Sequence, residues 1–322
     1  MTKKKQPSQL WILAKRAFAF GILVIVLDWL IGSGMAWLHE NQKRGVLYRA
    51  IYGLERTQAD LLIFGSSSAN HHFVPEILGA RLGMSVYNLG KDSMEVLYAR
   101  AFLNGVLKRY SPKAVILNLT PSELSAVDNY DKLSVLLPFY RKHPEMWHVI
   151  RLRSPHEGLK LLSRIYPYNS MAVSLLAGAV GRASPRPESG YVPLHRTMDT
   201  AKKSWITFKE EPVLDPHRVA ALESFILSCK SRGIALAIVF SPWYYVRTET
   251  TATIAAATRL GRRHGVPVFN HILDPEFLGN AGLFADEGHL NHAGASRFSR
   301  IIVDEFGRHI EKGDQAGYTL QR

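Results

Sequence analysis

The sequence predicts an α/β fold: a three-layer, doubly wound parallel sheet, entered through one N-terminal transmembrane helix and interrupted by a helical insertion. Three observations carry that prediction. Short apolar runs alternate with helix-period stretches over residues 59–121 and again over 216–310, the pattern of parallel strands joined by crossover helices. The first run, Asp60-Leu61-Leu62-Ile63-Phe64, stops at Gly65-Ser66-Ser67-Ser68. This places small hydroxyl side chains at the carboxyl end of a buried strand, where open α/β sheets bind their ligands. Residues 17–38 are apolar apart from Asp28. That span matches a hydrocarbon core of about 30 Å at 1.5 Å per residue.

Taken in order, residues 1–16 form a basic tail, with Lys3, Lys4, Lys5, Lys15 and Arg16, read as cytoplasmic. The 17–38 anchor follows. A cleaved signal peptide is the alternative, because Gly32-Ser33-Gly34-Met35-Ala36 offers small residues for cleavage, but an acid inside the apolar run argues against it. Asp28 is costly at that depth, unless it lies near a water-accessible end; the sharper expectation is contact with a polytopic membrane partner. Residues 39–58 read as a juxtamembrane helix, with Val46, Leu47, Ile51 and Leu54 at helical spacing. The sheet pattern gives strands at 61–64, 85–88 and 114–119, with helices at 74–82 and 93–110. Residues 122–215 break the rhythm: helices at 133–140, 147–152 and 157–166 precede a Pro-, Gly- and Ser-rich stretch at 183–200, read as a lid and an extended loop. The pattern resumes with helices at 216–232 and 251–264, strands at 234–240 and 266–269, and a closing helix at 293–306. Residues 311–322 are a polar tail.

At 322 residues and 47% hydrophobic content, the chain has a real core. One cysteine, Cys229, excludes an internal disulfide and a cysteine metal cluster; it reads as an inert buried residue. The net charge of +13 is scattered, with Lys3-Lys4-Lys5 the only dense cluster and no aromatic–basic ladder. That pattern disfavours nucleic acid and favours weak attraction to acidic glycans or anionic lipid headgroups.

A serine hydroxyl becomes a nucleophile when a histidine takes its proton and a carboxylate orients that histidine. Ser67 lies in the turn after the first strand, and Asp286 and His289 stand three apart just before the last helix. His71 and His72 follow the serine turn, with a surface helix the plainer reading and His71 a possible substrate contact. Trp243 and Tyr244 end a strand on the same face and suit either a sugar platform or packing. Asp286, His289 and His292 have spacing that permits a metal, but no further ligand cluster is visible, and no metal or cofactor is expected.

These motifs resemble the SGNH (GDSL-type) hydrolase-fold family, whose sheet is flavodoxin-like. Gly65-Ser66-Ser67 matches its Gly-Asp-Ser block, with Ser66 in place of the Asp, and Asp286-Glu287-Gly288-His289 matches its Asp-x-x-His block. Asn88-Leu89-Gly90 fits its second block. The third block, normally Gly-x-Asn-Asp, is absent, and Asn118 is a weak substitute. The resemblance implies Ser67 as nucleophile, with Ser66 and Ser68 as fallbacks, His289 as base, Asp286 as orienting acid, and an oxyanion hole from the N–H groups of Ser67 and Gly90 with Asn118. The N-terminal anchor and degenerate third block look most like the branch that serves teichoic-acid D-alanylation and exopolysaccharide O-acetylation. That likeness implies a periplasmic O-acyltransferase or esterase acting on a polysaccharide or cell-envelope polymer, beside a polytopic membrane-bound O-acyltransferase. A non-catalytic scaffold that binds polymer and docks onto such a partner is the second expectation. An α/β-hydrolase elbow is a rival for Gly65-Ser66-Ser67-Ser68-Ala69, but that elbow normally follows several strands.

Overall fold

The computed structural model describes residues 8–127, 129–181, 189–199, 213–244 and 251–315, with side chains to residue 311. The basic cluster Lys3-Lys4-Lys5, Tyr245 and the end of the polar tail lie outside the described residues.

Helix α1 spans Gln9–Glu40 and is long and apolar enough to cross a membrane. It starts eight residues before the expected span, at residue 9 rather than 17. The Ser8 side chain accepts from the Trp11 N–H, and Lys15 and Arg16 are good helix formers that do not interrupt it. Up to Leu27 the helix is almost wholly exposed; contact with the rest of the chain begins at Asp28. The Asp28 carboxylate accepts hydrogen bonds from Ser163 Oγ at 2.5 Å, Arg164 N–H at 2.7 Å and Ile165 N–H at 3.3 Å. The acid expected to face a membrane partner is therefore engaged by the chain's own insertion. A hydrogen bond to a charged group is worth about 1.5–3 kcal/mol. Asp28→Ala should accordingly free the 163–165 turn and speed tryptic cleavage after Arg164 in the full-length protein by about tenfold or more. An unchanged cleavage rate would show that the contact holds nothing.

Helix α2 (Gly45–Glu55) leads into the sheet. Strands β1 (Leu61–Phe64), β2 (Val86–Asn88), β3 (Ala114–Leu119), β4 (Ala235–Phe240) and β5 (Val268–Asn270) form one parallel sheet in the order β2-β1-β3-β4-β5. The strands alternate with period two. Leu62, Phe64, Val115, Leu117, Ile238 and Phe240 enter one core with α2, α5 (Val96–Leu107), α9 (Pro216–Lys230) and α10 (Ala252–His264). Leu61, Ile63, Ile116, Ala237 and Val239 enter the other, with α4 (Pro75–Leu82) and α11 (His292–Gln315). Both faces are buried, so each strand reads as a continuous apolar run.

Between β3 and α9 the described residues form short pieces. These are a 3₁₀ stretch at Asp131–Phe139 containing Pro138, helical turns α6 (Trp147–Ile150) and α7 (Glu157–Lys160), and α8 (Ala172–Ala179) beside the end of α1. Residues 189–199 then cross the carboxyl end of the sheet as an extended strap.

Candidate active site

Three pieces of chain meet beyond the carboxyl end of β1. The first is α3 (Ser67–His72), a six-residue helix that begins as soon as β1 ends. Its sequence, Ser-Ser-Ala-Asn-His-His, carries no apolar periodicity, yet it is buried from Ser68 onward. The second is a hairpin of β6 (Phe284–Asp286) and β7 (His289–Leu290), in which Asp286 pairs directly with His289. The expected loop is thus a two-stranded ribbon, too short to show alternation. The third is the strap.

His289 Nε2 lies 2.8 Å from Ser67 Oγ, and His289 Nδ1 lies 2.7 Å from Asp286 Oδ1. Ser67, His289 and Asp286 are brought together. The fallback serines are not: Ser66 Oγ lies 3.3 Å from Ser68 Oγ, and Ser68 Oγ donates to Asn118 Oδ1. Asp286 also accepts from Gly288 N–H at 3.2 Å, and its other oxygen accepts from Arg196 Nη2 at 2.7 Å. Partial burial pushes the Asp286 carboxyl up, but the hydrogen bond and charge of His289, with Gly288 and Arg196, outweigh it and bring it to about 2. The carboxylate is therefore ionised at ordinary pH and holds the imidazole with Nδ1 protonated and Nε2 toward the serine.

His72 fixes the ribbon. It is fully buried, and its Nε2 accepts the Leu290 N–H at 3.0 Å, which ties β7 to α3 next to the reacting pair. Burial, reinforced by the neighbouring histidines, holds His72 well below the ordinary imidazole range, so Nε2 stays free to accept. The surface reading of His71 and His72 is corrected. His71 Nδ1 lies 2.6 Å from the Val192 carbonyl and its Nε2 lies 3.3 Å from Asp92, leaving no ring nitrogen for substrate. Its ring meets His289 edge-on at 5.7 Å. The hydrogen bond from His71 holds Asp92 at about 2 despite partial burial.

Trp243 and Tyr244 also change role. Tyr244 is 1% exposed with its ring against Phe284, so it offers no face to a sugar, and its N–H donates to Glu287 O at 3.0 Å. The Trp243 ring lies against Gly288. Together they buttress the ribbon.

The oxyanion expectations divide. Ser67 opens α3, where the first N–H groups of a helix have no intrahelical acceptor. The Gly90 N–H donates to Asn88 Oδ1 at 2.8 Å, and the Asn88 amide donates in turn to Ala69 O and Phe73 O. Asn118 is spent as well: fully buried, it donates to Val239 O and Ser241 Oγ and accepts from Ser68. Asn118 is a strut between β3 and β4, because its strand position points it into the sheet's end. Gly90 packs so closely on α3 that a Cβ there would lie 2.4 Å from Asn70 N. Asn70 accepts from Arg49 Nη2 at 2.6 Å and donates to Asp92 at 2.6 Å.

The strap stitches the pieces. Val192 N–H donates to Asn70 O, Met198 N–H to Phe284 O, and the His292 N–H to Leu194 O. Arg196 and Tyr191, whose hydroxyl lies 3.0 Å from His292 Nδ1, were invisible in the sequence, since a Pro- and Gly-rich loop gives no sign of which side chains turn inward.

No family model matches the chain, and no curated protein matches it. Among solved structures it is similar to a "putative lipolytic protein of G-D-S-L family" from Desulfitobacterium hafniense DCB-2, at 9% sequence identity and a TM-score of 0.35 over 76% of this chain and 98% of that chain. A likeness at that score carries no argument about chemistry, so the reading of the site rests on its own geometry.

Proposed function

We propose that the protein is a membrane-anchored SGNH-type serine acyltransferase or esterase that acts on acyl esters of an extracytoplasmic polysaccharide or cell-envelope polymer. One observation carries the proposal: His289 bridges Ser67 Oγ and Asp286 Oδ1 at 2.8 and 2.7 Å. His289 takes the Ser67 proton as Ser67 Oγ attacks the acyl carbonyl. The tetrahedral oxyanion forms near the Ser67 N–H. The alkoxide leaves with the proton from His289, and the acyl group stays on Ser67. Water or a sugar hydroxyl, deprotonated by His289, then releases it. In this reading α1 is the anchor, the basic tail stays on the cytoplasmic side and the site works in the periplasm, with a polytopic membrane-bound O-acyltransferase as the proposed partner; the length and apolar character of α1 support it.

The test is labelling of the intact chain with a fluorophosphonate, read by peptide mass spectrometry. Modification on Ser67, lost in His289→Ala, supports the proposal. Absence of label on a folded sample transfers support to a second reading, a polymer-binding scaffold that docks on the acyltransferase. That reading is favoured by the Gly90 and Asn118 groups already being hydrogen-bonded inside the protein.

A further inference from the structure

Away from the triad, a cavity of about 380 Å³ lies between the last turns of α1, the end of α2 and the insertion. That is the size of a small-ligand site. Four basic side chains line it, Arg56, Arg141, Lys142 and Arg164, against two acids, Glu40 and Glu55. Lys142 is matched to both acids, at 3.1 Å from Glu40 and 3.6 Å from Glu55. Among the described residues, no carboxylate lies within ion-pair distance of the Arg56 or Arg141 guanidinium, while Arg164 has the Asp28 carboxylate beside it, accepting its backbone N–H. Two of these guanidinium groups rest on aromatic rings, Arg141 on Tyr140 at 5.1 Å and Arg164 on Trp29 at 5.5 Å. The cavity thus keeps an excess of planar donor forks, the geometry that takes a phosphate two oxygens at a time.

Its position selects the source of the phosphate. The cavity begins at Ala36 on α1, above the exposed apolar stretch that runs to Ile31, interrupted at the half-buried Asp28. Leu159 and Leu162, 69% and 76% exposed, stand on the turn that leads to Arg164. They extend the uncovered apolar surface of α1 sideways, up to the basic rim. Apolar surface below, Trp29 at the boundary and arginines above is the order in which a bilayer changes from hydrocarbon to headgroup. We propose that this cavity binds the phosphate of an anionic phospholipid headgroup in the outer leaflet. It would then fix the height and tilt of the domain over the membrane. The inference rests on α1 as a membrane span and not on the chemistry of Ser67.

The test is native mass spectrometry of the full-length protein in dodecyl maltoside, titrated with phosphatidylglycerol or with phosphatidylcholine of the same chains. Phosphatidylglycerol should be retained at about tenfold lower concentration, and Arg56→Gln/Arg141→Gln should bring it to the phosphatidylcholine level. Arg56 and Arg141 are both exposed, so the fold should survive. Should the double variant still not fold, Arg141→Gln alone must show the same direction of change. Equal retention of the two lipids by the native chain, or an undiminished preference in the variant, overturns the proposal. Loss of phosphatidylglycerol adducts in millimolar inorganic phosphate would assign the cavity to free phosphate and overturn the lipid source. Release of the chain from membranes by alkaline carbonate would separately refute α1 as a span, and leaves the Ser67 reading untouched.

Discussion

Ser67→Ala and His289→Ala should each lower acyl-ester turnover by about 10⁴-fold or more, and the double variant should be no slower than either alone. The non-additivity is the informative part. Ser67 Oγ without His289 keeps its proton at neutral pH, and His289 without Ser67 has nothing to deprotonate, so removing the second member of the pair costs nothing further. Asp286→Asn should come close to the same loss, about 10⁴-fold, although it hardly changes the shape of the site. An amide at Asp286 can present a donor to His289 Nδ1, which favours the tautomer whose Nε2 proton faces Ser67. Steady-state hydrolysis of an activated acetyl ester by the full-length protein is the measurement. Wild-type turnover in Ser67→Ala would refute the nucleophile, and additive losses in the double variant would refute the coupled pair.

Gly65→Ala should destabilise the fold by about 3–5 kcal/mol, the sum of a strained backbone and an overpacked contact. Gly65 sits at φ +142°, a region L side chains rarely enter, because the chain must leave β1 and start α3 within two residues. A Cβ there would lie 2.4 Å from the Asn118 carbonyl oxygen on β3 and 2.9 Å from the Ala69 Cβ. Neither neighbour can retreat: one is sheet backbone, the other lies within a buried helix. A domain of ordinary stability has about 5–15 kcal/mol in total, so the loss should be plain in a urea melt followed by tryptophan fluorescence. A midpoint within error of the native protein would show that β1 and β3 can part at this point without cost.

The sheet was the most legible part of the chain. Strands β1 and β3 begin and end where their apolar runs do, because both faces are buried and the one polar position, Asn118, is itself buried and hydrogen-bonded. Boundaries moved where local chemistry outweighed hydrophobic pattern. Helix α5 starts at Val96 rather than 93, since Ser93 has φ +63° and Met94 closes a turn on Lys91. Strand β5 starts at Val268, after Pro267, rather than at 266. Of the site, the residues that meet at Ser67 were legible from short motifs. The residues that hold them were not. His71, His72 and Asn118 are polar side chains buried against partners far away in sequence, Val192, Leu290 and Val239, and a local pattern cannot report a distant acceptor. Asn88, expected only as a neighbour of Gly90, turned out to occupy the glycine's N–H.

Ser67 and the histidine it meets are separated by 222 residues. At about 5–20 residues per second, a ribosome needs roughly ten to forty seconds to cover that distance. Throughout that interval α1 and the serine have already been made, while the imidazole has not. Under the proposed function, a truncated or stalled chain therefore carries an inert hydroxyl, and acyl chemistry waits until α11 has folded back against α3.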